Sequence, residues 1–371
     1  MNAQPRFKVL PSPHAIKTHV EFSRLDPSNV GHRQLLLAHH PMKLRKYLIP
    51  SPALRDSLAA AYRLVDARMS GGAFVAHPRF GKSSVIDYML AVIDDWVPGR
   101  AYVHYGVRDR KYSDPTHTYV DVLESQGSPF TTKGSPQVRY ERALKALWMV
   151  ANQSDTDHLV IIIDEAQRYT VAEFDGLLAL SNVLHRRWGI RTTTLLWGQR
   201  SLEHKFTALR ATHRTDLTGR FMPWMFVFRG VSSAGELAQI LAALDDDSEF
   251  PSGSGWSYVR LHFPHAVANG FRLENFAAPL WRAFQKMAPA YEKTLEVGMD
   301  WITVALEDLI VSNACDDHDR WRPSDQALEK AVMSSGFAGA IGSTYLPDDS
   351  PTAARAAGGL DTVIASAGGT S

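Results

Sequence analysis

The run Ala73-Phe-Val-Ala-His-Pro-Arg-Phe-Gly-Lys-Ser-Ser-Val-Ile-Asp-Tyr-Met-Leu90 constrains this chain more than any other stretch. Ala73 to Ala76 reads as a short buried strand, Gly81-Lys82-Ser83 ends a tight loop, and Ser83 to Ile93 has the apolar spacing of a helix. Strand, loop and helix in that order form the context of a phosphate-binding loop, where a helix N-terminus turns unpaired N–H groups toward an anion. In that reading His77, Pro78, Arg79, Phe80, Gly81, Lys82, Ser83 and Ser84 cradle the phosphates. Lys82 reaches the β- and γ-phosphates, and the Ser83 hydroxyl ligates Mg²⁺. Ala76 stands where the pattern G-x-x-x-x-G-K-[ST] has its first glycine. A chance Gly-Lys-Ser at a helix start is the competing reading, and the rest of the chain has to decide.

His158-Leu-Val-Ile-Ile-Ile-Asp-Glu-Ala-Gln167 is the second signal. Its unbroken aliphatic run fits a strand buried on both faces, as parallel sheets require. The strand ends in Asp164-Glu165, at the carboxyl end where open α/β sheets place their ligands. Asp164 then belongs to the Mg²⁺ shell and Glu165 polarises the attacking water. A strand capped by turn-forming acids is the alternative, weakened by the Gly-Lys-Ser upstream.

At 371 residues the chain has length for one large domain or two ordinary ones. Its 45% apolar and 21% charged residues are those of a globular protein. There is no apolar run long enough to span a bilayer and no apolar signal core at the N-terminus. The single cysteine, Cys315, excludes an internal disulfide. These features predict a cytoplasmic protein without a membrane partner. The net charge of +1 confines any nucleic-acid surface to a local patch.

Four segments are expected in chain order: an extension over 1–46, a nucleotide-binding α/β domain over 47–231, helices over 232–346, and a disordered tail over 347–371. Gly31 to His40 reads as a short helix within the extension. Ser51 before Pro52 predicts a capped helix running to Met69. Further strands fall at Arg100–Val107, Thr192–Trp197 and Trp224–Phe228, and helices at Thr116–Gln126, Val138–Ala151 and Phe174–Trp188. Gln199, at the polar end of the fourth strand, is the candidate sensor of the γ-phosphate, with Thr194 as the fallback. Asp216 to Phe221 reads as a polar connection. Arg220, just before the last strand, can project into a neighbouring subunit's nucleotide or can pair with Asp216 on the surface; Arg214 and Arg210 are lesser candidates. Ser233 and Glu236 have capping-box spacing. A helix is expected from His265 to Met287, with Arg272 near its start reaching back toward the phosphates. Helical runs follow at 294–313 and 324–335.

Taken together, these motifs resemble an AAA+ ATPase over roughly residues 48–290. Short matches resemble the TnsC/TniB group of transposition regulators, with IstB-like helpers as relatives. They are Ile161-Ile-Ile-Asp-Glu-Ala-Gln167, Leu195-Leu-Trp-Gly-Gln199, Leu217-Thr-Gly-Arg-Phe221 and Tyr119-Val-Asp-Val-Leu-Glu-Ser-Gln-Gly127. The resemblance implies an α/β P-loop domain with strand order 5-1-4-3-2, a helical lid, and ATP with Mg²⁺. It also implies a homo-oligomeric ring or filament on double-stranded DNA without sequence preference, linking a target-selection protein to a transposase. Arg108, Arg110, Lys111 and Lys133 are the candidate DNA contacts, since phosphate binding needs cations on exposed connections. A nucleotide switch, or a defence- or secretion-associated ATPase acting on protein partners without DNA, is the alternative.

Overall fold

The structure is a computed structural model that describes residues 7–12, 21–96, 99–154, 156–288 and 295–339. The tail expected over 347–371 lies outside them. The chain divides into two compact units.

The first unit, Ser57–His77 with Val92–Phe228, is built on a parallel sheet. Its strands are β1 (Gly71–Ala76), β2 (Ala101–Gly106), β3 (His158–Asp164), β4 (Arg191–Gln199) and β5 (Met225–Phe228). They lie side by side as β2-β3-β4-β1-β5, which is the order 5-1-4-3-2 read from the other edge. Leu159 to Ile163 of β3 are fully buried. A strand covered on both faces must be apolar at every position, which is why its sequence does not alternate. On one face Ala73, Val75, Val103, Ile161, Ile163 and Leu196 share a core with Leu144, Leu147, Leu177, Leu180 and Leu184. Those leucines come from the helices Pro136–Gln153 and Val171–Trp188. On β1, Phe74 stacks on Trp197 at 4.2 Å and on Phe226 at 5.0 Å.

Boundaries shift from expectation by a few residues, and one element changes type. The helix expected from Phe174 begins at Val171, because Thr170 and Glu173 close a reciprocal capping box. The stretch 216–221 is the helix Thr215–Phe221 rather than a connection, entered at Arg214.

The second unit comprises Met1–Asp56, Pro78–Ala91 and Arg229–Pro347. Its helices include Ala234–Asp246, Ala277–Met287, Met299–Asn313 and Asp325–Ser334. Ser233 accepts from the Glu236 N–H at 3.2 Å, as its spacing predicts. The continuous helix expected from His265 is interrupted. Pro264–Ala268 stops at Gly270, whose φ is +79°, and Arg272 is extended before a 3₁₀ turn over Leu273–Phe276. From the N-terminal region, the helix Val30–Ala38 is capped by Asn29, and Leu10–Pro11 pairs antiparallel with Tyr47–Leu48. His40 packs edge-on against His262 at 4.4 Å and Tyr258 at 4.5 Å. Burial holds His40 well below the usual histidine range and His262 at about 4, so both rings are neutral at pH 7. Among the described residues no helix is long and apolar enough to cross a membrane.

Candidate functional site

The carboxyl edge of the sheet collects the polar residues that end its strands. Ala76 of β1 is in register with Gln199 of β4, and Gly106 of β2 with Asp164 of β3. Asp164 Oδ1 accepts the N–H of Glu165 at 2.6 Å, and this turn carries Glu165 into the left-handed region at φ 56°, ψ 34°. Few residues bearing a Cβ adopt that conformation, and such outliers cluster at working sites. Gln167 Nε2 donates to Glu165 Oε2 at 2.8 Å, and its Oε1 accepts the Gln199 N–H at 3.1 Å. One amide therefore spans from the acidic turn of β3 to the end of β4. A Cβ at Gly198 would lie 2.9 Å from Gln167 Oε1, so any other residue there would push against that amide. Lys205 Nζ donates to the carbonyl of Gln167 at 2.6 Å and to that of Tyr169. Arg168 Nε stands 3.5 Å from Glu165 Oε2.

The sequence reading passed over Gln167, Arg168 and Lys205. Gln167 stands in the quoted Asp-Glu-Ala-Gln run, but spacing does not show that its amide turns back on Glu165. Thr194, the fallback sensor, is ruled out by register: it pairs with Gly71 at the start of β1, away from the carboxyl edge.

The loop after β1 is shaped by two left-handed residues, Arg79 at φ 66° and Gly81 at φ 95°. Phe80 between them is buried, while Pro78, Arg79 and Ser83 are exposed and Lys82 and Ser84 half-buried. Lys82 opens the helix Lys82–Trp96, as the strand–loop–helix reading requires. Within its unit the loop rests on the start of the helix Met299–Asn313. Asp300 N donates to the Arg79 carbonyl at 3.2 Å, and a Cβ at Gly298 would lie 2.6 Å from that oxygen. His77, at the end of β1's unit, is half-buried.

Arg220 does not pair with Asp216, which is held by Arg214 at 2.9 Å. It is half-buried at the amino edge of the sheet, where its Nη2 donates to Thr192 Oγ1 at 3.3 Å. Arg272 binds Asp246 with both terminal nitrogens, at 3.1 and 2.5 Å, and also contacts Glu274 at 3.1 Å. Of the four candidate DNA contacts, Arg110 is the least exposed. It pairs with Asp121, whose side chain is 2% exposed, and is needed there to neutralise a buried carboxylate. Arg108 pairs with Glu124 at 2.8 Å but stays largely exposed. Lys111 is exposed, and exposed Lys133 lies 5.3 Å over the Phe130 ring.

Among the described residues no group of three or more His, Cys, Asp or Glu side chains is placed to hold a metal alone. A hydroxyl such as that of Ser83 and a carboxylate such as that of Asp164 are donor types that Mg²⁺ accepts, the ion keeping waters and binding largely through substrate phosphates.

No protein-family model matches the chain, and no curated protein matches it. Solved structures do. The ORC2 protein of Aeropyrum pernix, solved as ADPNP–ADP complexes, matches with a TM-score of 0.50 at 14% identity, covering 80% of this chain and 71% of that one. Cdc6p of Pyrobaculum aerophilum gives 0.47 at 12% identity over 76% and 67%. Drosophila ORC bound to DNA gives 0.39 at 13% over 89% and 70%. The likeness to the Aeropyrum protein is one of fold: the chain shares its α/β architecture, here built on a five-stranded parallel sheet.

Proposed function

We propose that this chain is an ATPase that assembles in several copies on duplex DNA, binding ATP at the Gly81-Lys82-Ser83 loop. The carboxyl edge of the sheet carries the reading. The chain leaves β1 for the loop at Ala76, in register with Gln199, on the edge that also holds Asp164 and Glu165. Ligands of open α/β sheets lie outside that edge. The nucleotides in the Aeropyrum protein support a nucleotide here. Lys82 and the loop N–H groups would orient the phosphates, with Ser83 and Asp164 holding Mg²⁺. When bound, that ion draws charge from the phosphoryl oxygens. Glu165, held by Gln167, would take the proton of the attacking water, and Gln199 would sense the γ-phosphate. Arg220 would act on the nucleotide of a neighbouring copy, and Arg272 would first have to leave Asp246. On the short motifs quoted above, we infer a regulator of the TnsC/TniB kind that links a target-selection protein to a transposase, hydrolysis releasing it from DNA.

The internal pairing of Arg110 and Arg108 favours a second reading, a nucleotide switch acting on protein partners. Negative-stain imaging of the full chain with linear duplex DNA separates the two, with and without a slowly hydrolysed ATP analogue and Mg²⁺. Rings or filaments that need both, and are lost in Lys82→Ala, are expected. Nucleotide-dependent particles indifferent to DNA would replace the first reading with the second. Tight ATP binding by Lys82→Ala would remove the loop assignment.

A further inference from the structure

The sheet unit has a basic pocket at its amino edge, the end remote from Asp164. Arg68, Ser70, His185, Arg191, Thr192 and Arg220 line a space of about 250 Å³. That is several times the ~30 Å³ a liquid water occupies, so a small polyatomic ion fits. Three of its walls are guanidinium groups. Arg68 pairs with Asp157 at 2.7 Å, an ion pair open to solvent. Among the described residues no carboxylate pairs with Arg191 or Arg220. Arg220 Nε is buried without a hydrogen-bond partner. Burial alone lowers the proton affinity of that guanidinium, with no nearby acid opposing it. A half-buried cation without a counter-charge carries a desolvation cost that an arriving anion would relieve.

The surroundings hold the pocket in shape and feel its charge. A Cβ at Gly71 would lie 2.8 Å from the Thr194 carbonyl and 3.0 Å from those of Arg220 and Phe221. The Arg220 backbone is therefore pressed against the start of β1. His158, beside the pocket on β3, is pushed down to about 4, mainly by burial and further by the charges of Arg100, Arg68 and Arg191.

We propose that this pocket binds a phosphate-class anion through Arg68, Arg191 and Arg220, with His185 at its mouth. Guanidinium forks match the oxygens of phosphate in pairs, which lysines cannot do. The anion is a free polyphosphate. This inference is independent of the phosphate-loop reading, and its test disables that loop.

Full-length Lys82→Ala protein is titrated with tripolyphosphate by calorimetry at low salt, alone and with Arg191→Ala or Arg191→Lys added. Arg191 is an exposed side chain, so its removal leaves the sheet intact, which circular dichroism checks. Saturable one-to-one binding, weakened at least tenfold by Arg191→Ala and partly kept by Arg191→Lys, is expected. No saturable binding, or binding indifferent to Arg191→Ala, overturns the proposal.

Discussion

Glu165 combines an acidic side chain with a backbone conformation that costs on the order of 1–3 kcal/mol for a residue that is not glycine. The turn is held by Asp164 Oδ1 on the Glu165 N–H, while Gln167 and Arg168 face its carboxylate. Glu165→Gln keeps the shape and would remove the proposed base. Hydrolysis should fall by roughly 10²–10⁴-fold with nucleotide affinity unchanged, read by phosphate release beside a fluorescent-nucleotide titration. A parallel loss of affinity would instead make Glu165 a structural or metal-binding group. Much of this residue-scale picture was legible in the sequence, because Asp164 and Glu165 follow directly on an aliphatic run that can only be a buried strand. Gln167 was not, because its role depends on a register between β3 and β4 that no local spacing encodes. The pairing of Arg110 with Asp121 was hidden for the same reason: eleven residues separate the two, and only the packed helix Thr116–Ser125 buries that acid.

At the scale of elements, the joint between Ala234–Asp246 and the 3₁₀ turn Leu273–Phe276 is governed by one carboxylate. Asp245 accepts the N–H groups of Leu273 at 3.2 Å and Glu274 at 3.0 Å. Burial raises its pKa to about 6, against those hydrogen bonds and the charge of Arg272. The native state thus binds more protons than the unfolded chain between pH about 4 and about 6. Stability contributed here declines as pH rises through that window and stays lost above it, by on the order of 1–3 kcal/mol. Asp245→Asn keeps an acceptor and removes the titration, so its denaturation midpoint should decline less than the parent's between pH 4 and 6. Identical pH profiles for the two would exclude the effect. The break at Gly270 that shapes this joint was hidden in the sequence. The apolar spacing runs across it, and a glycine inside a helical pattern only lowers the odds of continuation. Strand order, by contrast, came through the resemblance, and the aliphatic runs located the strands but could not order them.

For the whole molecule, the question is whether one copy completes another. Arg220 sits at the amino edge of the sheet, and the polar strand ends Asp164 and Gln199 at the carboxyl edge. On the proposed reading, an arginine so placed would serve a nucleotide held on another copy. Mixing Arg220→Ala protein with Lys82→Ala protein should therefore restore hydrolysis that neither shows alone, the first supplying ATP and the second the arginine. No recovery across mixing ratios would count against action between copies. The strand order has a further consequence for how such a molecule is made. β1 lies between β4 and β5, so Ala76 waits for Gln199 and Phe228 before either hydrogen-bonding flank is covered. At translation rates of roughly 5–20 residues per second, that wait is on the order of ten seconds. Throughout it the strand feeding the phosphate loop has no sheet to join, so a chain stopped before residue 191 would carry a Gly-Lys-Ser motif with no scaffold to hold it.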